Sequence, residues 1–95
     1  MLISASVREK LKSPDHNVTE AEIEQCFASR GPKECKDTRD RHMTNPVTRW
    51  FVAETDYGRR LKVMYMLHEA DGIVEIKSAY PATENVLRIY EKFAT

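Results

Sequence analysis

Apolar positions recur along this chain with two periods, and the change between them divides it. Up to residue 30 the spacing is helical. Val7 and Leu11, four apart, set one apolar stripe on a short helix over 4–12, and Ser13-Pro14-Asp15 stops it. Thr19 followed by Glu22 three positions later is a capping box, and Val18 with Ile23 can close over it as a hydrophobic staple. These signals predict a second helix with Ile23, Cys26 and Phe27 facing inward, ended by Arg30-Gly31-Pro32. From residue 48 the period becomes two. Residues 48–55, Thr-Arg-Trp-Phe-Val-Ala-Glu-Thr, are β-branched and aromatic, and Asp56-Tyr57-Gly58-Arg59 makes a turn. Residues 60–68 form the strongest strand, with Leu61, Val63, Tyr65 and Leu67 on one face and Lys62, Met64, Met66 and His68 on the other. Both faces are apolar in the middle, which predicts a central strand. Ala70-Asp71-Gly72 is a hairpin turn of the Asp-Gly type. Residues 73–79 follow, with Val74, Ile76 and Ser78 opposite Ile73, Glu75 and Lys77. A final helix starts near Thr83, after Pro81, with Val86, Ile89, Tyr90 and Phe93 as its apolar face. Residues 33–38 are a weakly signalled first strand, and 39–47 read as a polar loop closed by Asn45-Pro46.

The expected fold is therefore α+β. A small antiparallel sheet of three to four strands carries two N-terminal helices and one C-terminal helix packed on it. All three helices are expected on one face, leaving the other partly open, with Lys62, His68, Glu75 and Lys77 on or near it.

With 95 residues the chain reads as a single domain, 1–95. Hydrophobic residues are 41% of it, enough for a modest core, and too many for disorder at zero formal net charge. Apolar stretches are a few residues long, so no membrane span is expected, and the first residues carry no signal-peptide pattern, which makes the cytoplasm the expected location. Cys26 and Cys35 are then expected as free thiols.

Fifteen basic side chains balance fifteen acidic ones, so a nucleic-acid role must rest on a local patch. One exists. Residues 36–62 carry seven basic side chains (Lys36, Arg39, Arg41, Arg49, Arg59, Arg60 and Lys62) against four acidic ones. Five of the seven are arginine, whose planar fork matches phosphate oxygens; the plainer reading is a solvated loop with strand edges.

His16, His42 and His68 with the two cysteines match no common zinc spacing, so neither metal nor cofactor is expected. There is no glycine-rich phosphate loop and no nucleophile elbow, and Cys26 sits on a helix face as a small hydrophobe would. What remains is arginine, lysine, histidine and tyrosine around an open sheet. Such a set can cleave RNA without metal: the 2′-hydroxyl attacks the adjacent phosphate while protein groups move protons and stabilise the developing charge. The plainer reading is ordinary surface charge on a small α+β domain.

Several positions resemble BrnT-type toxins, small ribonucleases of the RelE-like superfamily, and neighbouring families of short domains. His16-Asn17-Val18-Thr19 opens the second helix and Phe27 closes it. Arg49 precedes the middle hairpin, and Gly58-Arg59-Arg60-Leu61-Lys62-Val63 begins the central strand. Ile76, Ser78-Ala79, Ala82-Thr83 and Tyr90-Glu91 complete the pattern, which covers most of 14–92. The chain departs from it at Tyr80-Pro81, where arginine is common, at Val86, where glutamate is common, and in the segment through residue 13.

The resemblance implies a metal-independent endoribonuclease toxin in the cytoplasm, with an RNA substrate and a small antitoxin protein as partners. It implies Arg49 and Arg59 for phosphate contact, beside Arg39 and Arg41 of the basic patch, and Lys62 or Lys77 for charge stabilisation. His42 and Tyr80 are the proton-transfer candidates. His16 reads as satisfying local backbone, Trp50 as core, and Tyr90 as core with a wet hydroxyl. The alternative is a non-catalytic protein-binding module on the same fold. A homodimer through edge-strand pairing is compatible with either. The ribonuclease reading predicts clustering of Arg49, Arg59, Lys62 and Lys77 on one sheet face, in a concavity; basic groups that point in different directions count against it and toward the binding module.

Overall fold

The structure is a computed structural model and describes residues 1–39 and 43–95. Among these, three helices and a four-stranded antiparallel sheet follow one another in the order α1 (Ala5–Lys12), α2 (Glu20–Ser29), β1 (Cys35–Lys36), β2 (Arg49–Glu54), β3 (Arg60–His68), β4 (Ile73–Pro81) and α3 (Glu84–Phe93). Spatial order equals chain order, β1-β2-β3-β4, as short turns between strands require. The α+β architecture read from the sequence is the one observed.

Each helix starts as its sequence directs. Ser4 accepts from the Val7 amide at 3.2 Å and Thr83 from the Val86 amide at 3.2 Å. At α2 the full capping box forms: Thr19 Oγ1 accepts from the Glu22 amide, and the Glu22 carboxylate accepts from the Thr19 amide, both at 3.1 Å. Gly58 and Gly72 hold positive φ in the two hairpin turns, where a side chain would be strained.

The pairing register assigns the faces. Arg49, Phe51 and Ala53 of β2 oppose Tyr65, Val63 and Leu61 of β3. This face meets α1 and α2, and Val7, Leu11, Ile23, Cys26, Phe51, Leu61, Val63 and Ile76 pack into one core. Trp50, Val52, Lys62 and Met64 point the other way.

Three expectations change. First, β1 is only two residues long, because Glu34 exchanges backbone hydrogen bonds with Thr95, at 3.2 and 3.1 Å, rather than extending the strand. Second, α3 does not join α1 and α2. Those helices already cover the core face, so α3 meets β2 from the other side, where the Tyr90 ring lies 5.9 Å from Trp50. Phe93, expected in its apolar stripe, is 62% exposed. Third, β4 carries a bulge. Met64 pairs with Ser78 but Tyr65 pairs with Ile76, leaving Lys77 as the extra residue. Alternation restarts after it, so Ala79 enters the core, and Ser78 and Tyr80 join the face of Met64 and Lys62.

The sheet's outer edges are partly occupied. Leu2 donates its amide to Val74 and accepts from Ile76, at 2.8 and 2.9 Å, along the free side of β4. Strand-to-strand association there is blocked at these positions. Among the described residues, no helix is long and apolar enough to cross a membrane.

Candidate nucleic-acid interface

The face carrying Trp50, Lys62 and Met64 is hollowed beyond the edge of α3. A cleft of about 440 Å³ is lined by Lys10, Arg39, Met43, Thr48, Met64, Lys77 and Ser78. A smaller hollow of about 240 Å³, lined by Trp50, Lys62 and Ile89, adjoins it and shares Asp37 and Arg39. Each cation reaches this face for a local reason. Lys62 alternates with the buried Leu61 and Val63. Lys77 is the bulge residue, and its carbonyl accepts from the Lys10 ammonium at 3.3 Å, which brings α1's lysine over the β4 edge. Arg39 stands on the short segment after β1, anchored by Asp37.

Ion pairing separates these lysines from Arg49 and Arg59. Among the described residues, no carboxylate lies within ion-pair distance of Lys10, Lys62 or Lys77. The Lys62 ammonium sits 4.4 Å above the Trp50 ring and 5.6 Å from the Tyr80 ring, so two aromatic faces hold it in place. Arg39 grips Asp37 bidentately, Nε to Oδ1 and Nη2 to Oδ2 each at 2.9 Å, yet its own side chain is 65% exposed. Tyr80 is half-buried, and the His16 ring meets it edge-on at 5.6 Å. His16 itself bonds Ser13 Oγ through Nδ1 at 2.9 Å, a local partner, but a side chain where backbone groups were expected.

Arg49 and Arg59 are elsewhere, and the expected clustering of Arg49, Arg59, Lys62 and Lys77 does not occur. Arg49 shares the parity of Phe51, so it projects on the core face and pairs with Glu34 at 2.8 Å. Glu34 also receives Arg30 at 2.9 Å and the Tyr65 hydroxyl. Burial raises the Glu34 pKa, but these hydrogen bonds outweigh it and hold the carboxyl below its ordinary value. Arg59 ties the start of β3 to α2. Its Nη1 reaches both Glu22 oxygens, at 3.0 and 3.1 Å, and the Asn17 carbonyl, while Nη2 reaches the His16 carbonyl. Glu22 is likewise held low: burial raises it, and the Thr19 amide and Arg59 more than offset that. Both arginines are engaged in holding the fold.

The structure thus brings together Lys62, Lys77, Tyr80 and Arg39 on one face and sets Arg49 and Arg59 apart. Arg41 and His42 lie outside the described residues. Lys10 was missed: its position off the Val7-Leu11 stripe marks it as exposed, but nothing local says which sheet edge it overhangs. Chemically, the cleft offers ammonium groups and a guanidinium to an anion with regularly spaced charges, with a phenol hydroxyl beside them. Comparison with family models, curated proteins and solved structures finds no match for this chain.

Proposed function

We propose that this chain binds the phosphate backbone of RNA in the cleft of Lys10, Arg39, Lys62 and Lys77, and cleaves it there without metal. The observation that carries the reading is the gathering on one face, in a chain of zero net charge, of Lys10 and Lys77 in the cleft and Lys62 in the adjoining hollow, none with a carboxylate partner among the described residues. In the cleavage step the 2′-oxygen forms a bond to the adjacent phosphorus and the bond to the 5′-oxygen breaks. Lys62 and Lys77 offset the charge on the phosphorane oxygens, and Tyr80 gives its proton to the departing 5′-oxygen. His42, the other proton-transfer candidate, takes the proton of the attacking 2′-hydroxyl. The resemblance to BrnT-type toxins supports placing this activity in a toxin restrained by an antitoxin.

The commitment of Arg49 and Arg59 to internal ion pairs favours a second reading, a module that binds without cleaving. One experiment addresses both. Fluorescently labelled single-stranded RNA is titrated with the protein at several salt concentrations, and the RNA is then run on a gel. Binding is expected to weaken with salt, with a slope reduced by about 1.4 in the Lys62→Ala/Lys77→Ala variant, about 0.7 for each contact. Products ending in 2′,3′-cyclic phosphate, absent with 2′-O-methyl RNA, support cleavage. Binding without products supports the second reading. Salt-independent affinity, or equal binding by the double variant, refutes the cleft.

A further inference from the structure

Away from the basic cleft, a second hollow of about 370 Å³ opens between α2 and the start of β4, lined by Met1, Glu24, Phe27, Gly72, Ile73 and Val74. Its walls are apolar, and Met1 and Ile73 are 47% and 41% exposed. Its rim is acidic. Glu24 lines it and Asp71 adjoins Gly72; both are exposed and, among the described residues, in no ion pair. The acids repel a phosphate backbone. The β4 edge beside the hollow is already bonded to Leu2, which excludes an added strand at that point. Side chains inserted from a helix remain the available mode.

The chain itself presents such a helix. On α3, Ile89 and Phe93 stand four apart on one row and are 39% and 62% exposed. Arg88 and Lys92 form the neighbouring row, exposed and, among the described residues, without a carboxylate partner. Two apolar side chains flanked by two cations match an apolar hollow flanked by two acids.

We propose that α3 of one copy of this chain docks in the α2–β4 hollow of a second copy, with Ile89 and Phe93 inserted against Phe27, Ile73 and Val74. Arg88 and Lys92 then face Glu24 and Asp71. The contact is heterologous, joining different patches on the two copies. It closes into a dimer if it forms reciprocally and extends into longer assemblies if it does not. It uses neither Lys62 nor Lys77, although Ile89 also borders the hollow of Trp50 and Lys62.

The test is sedimentation velocity of the full chain from about 10 μM to 1 mM. Wild type is expected to associate as concentration rises. Phe93→Asp and Ile73→Asp, both at exposed positions, are each expected to weaken association at least about tenfold. Because the contact is heterologous, mixing the two variants restores one intact helix and one intact hollow, giving a 1:1 complex that neither forms alone. Arg88→Glu weakens association, and adding Glu24→Arg recovers it. A wild type monomeric throughout this range, association indifferent to both aspartates, or variants that fail to complement each overturn the proposal.

Discussion

Cys26 lies at the base of α2's buried stripe, with its Sγ 3.7 Å from the Ala53 carbonyl oxygen. It is fully buried, and burial pushes its thiol up to about 11. A thiol is reactive as thiolate, so Cys26 is expected to resist a maleimide at pH 8 in the native protein and to react quickly once the chain is denatured. Time-resolved mass spectrometry of the labelled protein checks this, and labelling of native Cys26 at the denatured rate would contradict the packing described. That Cys26 behaves as a small hydrophobe was legible from its helical spacing to Ile23 and Phe27. The duties of Arg49 and Arg59 were not. Glu34 lies 15 positions from Arg49, and Glu22 lies 37 from Arg59. Only the tertiary fold brings these pairs together, and an arginine awaiting phosphate looks the same in sequence as one holding a glutamate.

At the scale of elements, Glu34 joins α2's end, β2 and β3 through Arg30, Arg49 and Tyr65. Glu22 joins the start of α2 to the β2–β3 turn through Arg59. Both carboxyls are held below their ordinary value in the fold. The unfolded chain therefore binds more protons than the folded one between the folded pKa values and about 4.3. Stability from these groups is complete above that pH and falls as acid titrates them. Urea unfolding from pH 7 to pH 3 is expected to show this decline, with a shallower slope in Glu34→Gln. That variant is also expected to lose about 1–3 kcal/mol at neutral pH, since it keeps the side chain's shape but not its charge. Equal slopes would mean that Glu34 is not a linking group. Helix starts and hairpin turns were legible because capping boxes and Asp-Gly turns act over four residues. The length of β1 and the side on which α3 packs were not, because each depends on which partner a distant segment reaches first.

At the scale of the whole molecule, the formal net charge of zero conceals a sidedness. Lys10, Lys62, Lys77 and Arg39 gather on one face, while Glu24 and Asp71 border a hollow elsewhere. A composition sums over these regions and so could indicate neither. What sorts Lys62, Tyr80 and Ser78 to one side, and Leu61, Ala79 and Ile76 to the other, is a rule of even and odd positions. Lys77 is where β4 changes from one parity to the other. Its identity and its presence can therefore be tested separately. Lys77→Ala removes one charge and keeps the count, so thermal unfolding should shift little. Deleting Lys77 removes the bulge and makes the pairing continuous: Ile76 still faces Tyr65 and Ser78 still faces Met64, so Ala79 stays in the core and Tyr80 stays on the face of Lys62. The shortened chain is therefore expected to fold with a modest shift in melting temperature, and a loss of several kcal/mol in thermal unfolding would show that the bulge itself is needed. One extra residue thus puts a cation on the cleft side of β4 while its neighbours keep the faces that a regular strand would give them.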